Sequence, residues 1–130
     1  MSKKIEAKSI TVRLTDARPV TLSTEMWPTI ASASWHDGEV SCQATRRARI
    51  VVREHCHEEG DDARCIVYGW TESAWGSDRG TAAGYRVRSG ADYAEVIVAI
   101  RRVGDEIGRD DLARECVQDL PPVDLDDGAE

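Results

Sequence analysis

The run Arg46-Arg47-Ala48-Arg49-Ile50-Val51-Val52-Arg53-Glu54-His55-Cys56 constrains the fold more than any other part of the chain. It is followed by the tip Glu58-Glu59-Gly60-Asp61-Asp62 and then by Arg64-Cys65-Ile66-Val67-Tyr68-Gly69-Trp70. Two β-branched and aromatic segments around a Gly/Asp tip read as an antiparallel hairpin. Side chains alternate between the faces of a strand. One face therefore carries Ile50, Val52, Cys56, Cys65 and Val67 and suits a core. The other carries Arg47, Arg49, Val51, Arg53, His55, Ile66, Tyr68 and Trp70, a basic and aromatic surface. A tip symmetric about Gly60 and Asp61 sets Cys56 opposite Cys65, Val52 opposite Gly69 and Ile50 opposite Thr71.

The flanking segments give an α+β chain. Lys8 to Thr15 alternates with Ile10, Val12 and Leu14 on one side, as a half-buried strand does. Val20 to Leu22 reads as a short extended piece. Ser23 or Thr24 is a fit N-cap for a helix containing Met26, Trp27, Ile30, Ala31 and Ala33, with Pro28 near its first turn. Gly84 to Ser89 is another strand. Over Asp92 to Ile107, Tyr93, Val96, Ile97, Ile100, Val103 and Ile107 recur at helical spacing. Gly108 ends that helix, and Asp110 or Asp111 opens a shorter one through Leu112, Cys116 and Leu120, stopped by Pro121-Pro122.

The predicted order is β-α-β-β-β-α-α: an antiparallel sheet of three to four strands with helices on one face and the other face exposed. At 130 residues a single domain over 1–120 with its own core is expected, followed by an acidic, flexible tail over 121–130. This order of elements resembles the double-stranded-RNA-binding fold with an extra first strand. That family carries a lysine pair at the start of its last helix, where this chain has Gly90-Ala91-Asp92-Tyr93. The departure speaks against duplex RNA as a ligand.

Charge narrows the partners. The net charge is −7, and Val103 to Glu130 holds ten acids against Arg109 and Arg114, so the rest of the chain is close to neutral. A global acidic balance disfavours non-specific binding to phosphate backbones, yet it leaves room for a local basic face. The N-terminus Met1-Ser2-Lys3-Lys4 is followed by polar residues with no apolar export segment. No run approaches the roughly 18–20 apolar residues that cross a bilayer. A cytoplasmic address away from the membrane is predicted, with reduced cysteines.

His55-Cys56-His57 with Cys65 has the ligand types for zinc. On a regular hairpin the histidines point to one side and the thiols to the other, so a bulge would be needed to bring all four together. Cys56 and Cys65, if directly opposed, have the geometry for a cross-strand disulfide, which a cytosolic address disfavours. The carboxylate pairs Glu58-Glu59, Asp61-Asp62, Asp110-Asp111 and Asp126-Asp127 fall at a hairpin tip, a helix start and a tail, where water reaches them. No catalytic residue, metal site or cofactor is predicted.

What remains is the sheet face. Tyr68 and Trp70 can stack on a ligand while Arg47, Arg49 and Arg53 contact phosphates or carboxylates. An ordinary solvent face, with arginine stems lying over the aromatic rings, explains the same residues without a ligand. The acidic second helix, with Asp110, Asp111 and Glu115, is a second candidate surface.

Leu14-Thr15-Asp16, Trp27-Pro28, Ile30-Ala31-Ser32-Ala33-Ser34 and Val51-Val52-Arg53-Glu54-His55 resemble small accessory proteins carried by bacterial plasmids, prophages and integrative elements, over roughly residues 10 to 120. The resemblance implies no reaction and no cofactor. Such proteins often regulate or inhibit host complexes, as short acidic anti-CRISPR-type inhibitors do. The expectation is a non-enzymatic regulatory protein that binds a protein partner. The alternative is single-stranded nucleic-acid binding on the Arg/Trp/Tyr face, and the same face could instead pack in a homodimer.

Overall fold

The computed structural model describes residues 8–37, 46–56, 63–73, 80–89 and 93–122. The hairpin tip, His57, Cys42 and Val123 to Glu130, most of the expected acidic tail, lie outside the described residues. The strands are β1 (Ser9–Val12), β2 (Val20–Ser23), β3 (Thr29–Asp37), β4 (Arg46–Glu54), β5 (Ala63–Ser73) and β6 (Ala82–Ser89). Two helices follow, α1 (Ala94–Ile107) and α2 (Asp110–Asp119). β3 to β6 form an antiparallel meander in chain order, and β1 and β2 form a separate two-stranded hairpin. No helix among the described residues is long and apolar enough to cross a membrane.

The α+β class, the antiparallel sheet and the two C-terminal helices on one face agree with the sequence reading. The first helix does not. Residues 29–37 form a strand, so the order is β-β-β-β-β-β-α-α, and the likeness to the double-stranded-RNA-binding order is lost at its first helix. The capping signal was real but served a single turn: Ser23 Oγ accepts the N–H groups of Glu25 at 3.2 Å and Met26 at 3.4 Å. Pro28 then ends the turn, and its carbonyl accepts the Glu54 N–H at 3.2 Å. Beyond it the burial period is two, with Ala31 and Ala33 buried and Ser32 and Ser34 more open. Small alanines suit that strand because Ala31 and Ala33 share a cluster with Leu112, Ala113 and Cys116 of α2.

The β4–β5 register differs from the symmetric expectation by two residues. Glu54, not Cys56, stands opposite Cys65; Val52 faces Val67 and Ile50 faces Gly69. An even offset leaves the paired side chains on their predicted faces; Cys56, expected on the core face, instead lies beyond the end of β4 and is exposed. This register sets Gly69 beneath α1. A Cβ there would come within 2.7 Å of Val103 Cγ1 and 2.9 Å of the Arg49 carbonyl oxygen. The missing side chain therefore admits α1 to the sheet beside Ile50.

Two clusters sandwich the sheet. On the helix side Ile50, Val52, Cys65 and Val67 meet Val96, Ile100 and Val103. On the other side Ile66 packs with Val12 and Leu22, flanked by partly buried Ile10, Leu14, Trp27 and Tyr68. The face expected to be open is thus half covered by the β1–β2 hairpin. Val51, Val52 and Ile66 are at most 2% exposed, so β4 and β5 are buried on both sides.

Both sheet edges are stopped. Asp119 Oδ2 accepts the Ser32 N–H at 3.0 Å on β3. At β6 the Thr15 N–H donates to the Gly84 carbonyl at 2.8 Å, and the Gly84 N–H donates to Thr15 Oγ1 at 3.1 Å. Each contact occupies backbone that would otherwise template pairing with another strand. α1 ends in a Schellman turn: Gly108 N–H bonds the Asp105 carbonyl and Arg109 N–H that of Gly104.

Gly69→Ala is expected to lower stability by about 1–3 kcal/mol, the usual range for overpacking. Urea unfolding checks this, and an unchanged midpoint would show that α1 does not rest on this gap.

Candidate functional site

The alternation across β4 and β5 holds, so Arg47, Arg49, Arg53, Tyr68 and Trp70 do share one face. They do not form one surface. The β1–β2 hairpin and Trp27 pack on the middle of that face against Ile66 and half-buried Tyr68, and Val51 beside them is buried as well.

Arg53 and Tyr68 are committed inside the protein. Arg53 Nε donates to the Tyr68 hydroxyl at 3.0 Å and Nη1 donates to the Trp27 carbonyl at 2.8 Å. The Trp27 ring meets His55 edge-on with centroids 4.8 Å apart. The expected contact role of Arg53 and Tyr68 is therefore corrected: their fork ties the Trp27 turn to the sheet. Tyr68 meets Val51 and Gly84 across the strands, at the level where the chain between β1 and β2 crosses β6.

Arg47, Arg49 and Trp70 lie beyond this cover. Arg47 Nε pairs with Glu72 at 3.5 Å, both side chains about half exposed, a geometry that contributes little in water. Arg49 is exposed and makes no ion pair or hydrogen bond through its side chain among the described residues. Ser34 and His36 of β3 join Arg47, Arg49 and Trp70 around an open cavity of about 500 Å³. Trp70 also borders a second cavity of about 300 Å³, against Ile10 to Arg13 of the hairpin. An indole with a hollow on either side, next to two cations, suits an extended anionic or aromatic segment.

The acidic candidates sit on α2, which packs on the opposite side of the sheet. Asp111 takes two hydrogen bonds from Arg109, at 3.0 and 2.8 Å. That bond holds the Asp111 carboxyl below its ordinary range and the Arg109 guanidinium above its own. Arg109 in turn stacks over the Trp35 ring at 4.4 Å. Asp110 and Glu115 are exposed. Asp111 is thus occupied in holding Arg109 over Trp35.

The metal-type cluster is dispersed. Cys65 is buried under the helices, while Cys56 lies exposed beyond the end of β4 with Sγ 4.0 Å from the Glu25 carbonyl. Among the described residues no three metal-ligating side chains gather. Cys116 is buried in α2, where burial first and Asp119 second push its thiol up to about 12. It is therefore protonated near neutrality and a poor nucleophile.

Residues that the sequence reading did not place at a site include Trp27, Arg64, Arg86 and Arg88. The signal was present in β6: Tyr85 and Val87 alternate with Arg86 and Arg88, so both arginines share the outer face with Arg64. Comparison of the chain with family models, with curated proteins and with solved structures found no match.

Arg53→Lys keeps the charge but not the fork, and is expected to lose about 1–3 kcal/mol, as for hydrogen bonds to a charged group. Chemical denaturation would measure the loss, and wild-type stability would refute the bracing role.

Alkaline pH gives a second test. Burial and then Glu54 raise the Tyr93 phenol from 10.0 to about 12, and Cys116 rises from 9.0 to about 12. Both groups hold their protons longer folded than unfolded, so their stabilisation is whole below the unfolded values and is lost as pH rises toward about 12. The urea midpoint should therefore start to fall near pH 9. Tyr93→Phe should make the fall above pH 10 shallower, the remainder belonging to Cys116; an identical slope in that variant would contradict the assignment.

Proposed function

We propose that this chain is a non-enzymatic binding protein that engages a protein partner through Arg47, Arg49 and Trp70, with Ser34 and His36 at the rim. The observation that carries the reading is Arg49: an exposed cation with no side-chain partner among the described residues, beside a half-buried indole and an open cavity of about 500 Å³. Arg and Trp are the residue types that dominate protein–protein hot spots. Guanidinium groups bind carboxylates in a fixed fork, so an acidic segment bearing an apolar side chain is the complementary partner. A regulatory role, as the resemblance to mobile-element accessory proteins implies, suits such a surface.

A second reading, single-stranded nucleic acid on the same face, is favoured by the arginines at both ends of the sheet. A bound strand would have to pass over the β1–β2 hairpin, and the net charge of −7 opposes a polyanion.

The test compares wild-type protein with Arg49→Glu/Trp70→Ala and with Asp110→Lys/Glu115→Lys in affinity capture from the native host, read by mass spectrometry. The sheet-face variant should lose the partner at least tenfold while the α2 variant keeps it. The reverse pattern moves the site to the acidic helix. Removing residues 109–130 would not serve, because Leu112, Ala113 and Cys116 are core. A salt-sensitive shift of single-stranded oligonucleotide, abolished by Arg49→Glu/Trp70→Ala, would favour the second reading.

A further inference from the structure

β3 is one edge of the four-stranded sheet, and Asp119 guards it at a single amide. The Ser32 N–H turns away from β4 to reach that carboxylate at 3.0 Å. Backbone groups alternate in direction along a strand, and the β3–β4 register is unbroken from Ala31 to Asp37. The N–H and C=O groups of Ser34 and His36 therefore point outward as well. Among the described residues nothing hydrogen-bonds to them. On the opposite edge, the part of β6 beyond Gly84 carries Arg86 and Arg88, charges of the kind that deter strand pairing. Beyond Ser32, β3 offers Ser34, Trp35 and His36, all exposed.

The two faces of this open stretch differ in charge. On the outer face Ser34 stands opposite Arg49 and His36 opposite Arg47, and these four line the cavity of about 500 Å³ with Trp70. Ser34 is small, so a long side chain laid across it has a path to Arg49. On the helix face Trp35 is 37% exposed, with Arg109 over its ring at 4.4 Å. α2 packs against β3 on that side and carries Asp110, Asp111, Glu115 and Asp119 against Arg114. A carboxylate is thus attracted on the outer face and repelled on the helix face.

We propose that the partner docks by strand addition: an extended segment of alternating acidic and apolar residues pairs antiparallel with β3 at Ser34 and His36. Its carboxylates reach across Ser34 toward Arg49 and Arg47, and its apolar side chains rest on Trp35. In this mode backbone hydrogen bonds to the open edge supply affinity, and alternate side chains supply specificity. A second copy of the chain suits the edge less well. Pairing two β3 strands would set two acidic α2 helices on the same side of the joined sheet. The inference rests on the protein-binding reading and adds to it the partner's backbone conformation and residue pattern.

Titration of the full chain at low salt with a short peptide of alternating Glu and Val tests the assignment. The peptide should bind one-to-one and slow hydrogen exchange at the Ser34 and His36 amides. Arg49→Glu should weaken it by about tenfold, the scale of one charge-assisted contact. In the antiparallel arrangement the Glu amides face β3, so N-methylating them should cost about tenfold or more, while N-methylating the Val amides should cost nothing. Because the methyl groups sit on the peptide, this arm does not depend on how a variant folds. If both methylated peptides bind alike and the two amides exchange as before, strand addition is overturned; a loss with Arg49→Glu would then still uphold the face reading. Protected amides and a Glu-specific methylation loss with no effect of Arg49→Glu would keep the strand and reject the face. No binding at millimolar peptide overturns the proposal. So does protection of the two amides that grows with protein concentration alone, which would assign the edge to a second copy.

Discussion

The β4–β5 pair is buried on both faces, and the rest of the molecule is arranged around that fact. Ile50, Val52, Cys65 and Val67 take the helices, Ile66 takes the β1–β2 hairpin, and Val51 on that same outer face is buried too. Each fully buried aliphatic side chain contributes about 1.5–3 kcal/mol relative to exposure, so two inner strands lined on both sides supply most of the cohesion. Gly69 sets how close α1 can come, and the Schellman turn at Gly108 redirects the chain so that α2 lies along β3.

Covering the middle of the outer face sorts its charges. The apolar positions nearest the hairpin disappear from solvent, and arginines remain at the two ends. Arg53 is the exception, since it sits at the margin of the cover and spends its donors on Tyr68 and the Trp27 carbonyl. It converts a cation on the surface into a brace for the turn that leads into β3. The Arg47/Arg49/Trp70 corner and the Arg64/Arg86/Arg88 corner are consequently separate, one beside an indole with a hollow on either side, the other bordering a smaller hollow lined by Trp27.

The acids behave in a matching way. Several of them have local duties: Asp119 stops the β3 edge, Asp111 holds Arg109 over Trp35, and Glu54 receives the Tyr93 hydroxyl at 3.2 Å. Asp110 and Glu115 remain on the solvent side of α2, away from the arginines of the sheet. This segregation gives the protein a basic sheet face and an acidic helix on opposite sides, although its net charge is negative.

Much of this was legible in the residues themselves. Period-two alternation in β4, β5 and β6 and the 3.6-residue stripe in α1 are local properties, and they set element type and facing wherever the run was long. Residues 24–33 failed that test because a genuine Ser23 cap and scattered alanines imitate a helix start, while Pro28 and the Ala/Ser alternation favour a strand beside α2. What the sequence alone determined is which side chains share a face. Which of those faces meets water was decided by tertiary structure: the hairpin that packs on Ile66 and Tyr68 is distant in the chain, and its apolar side chains carry no local sign of the surface they will cover.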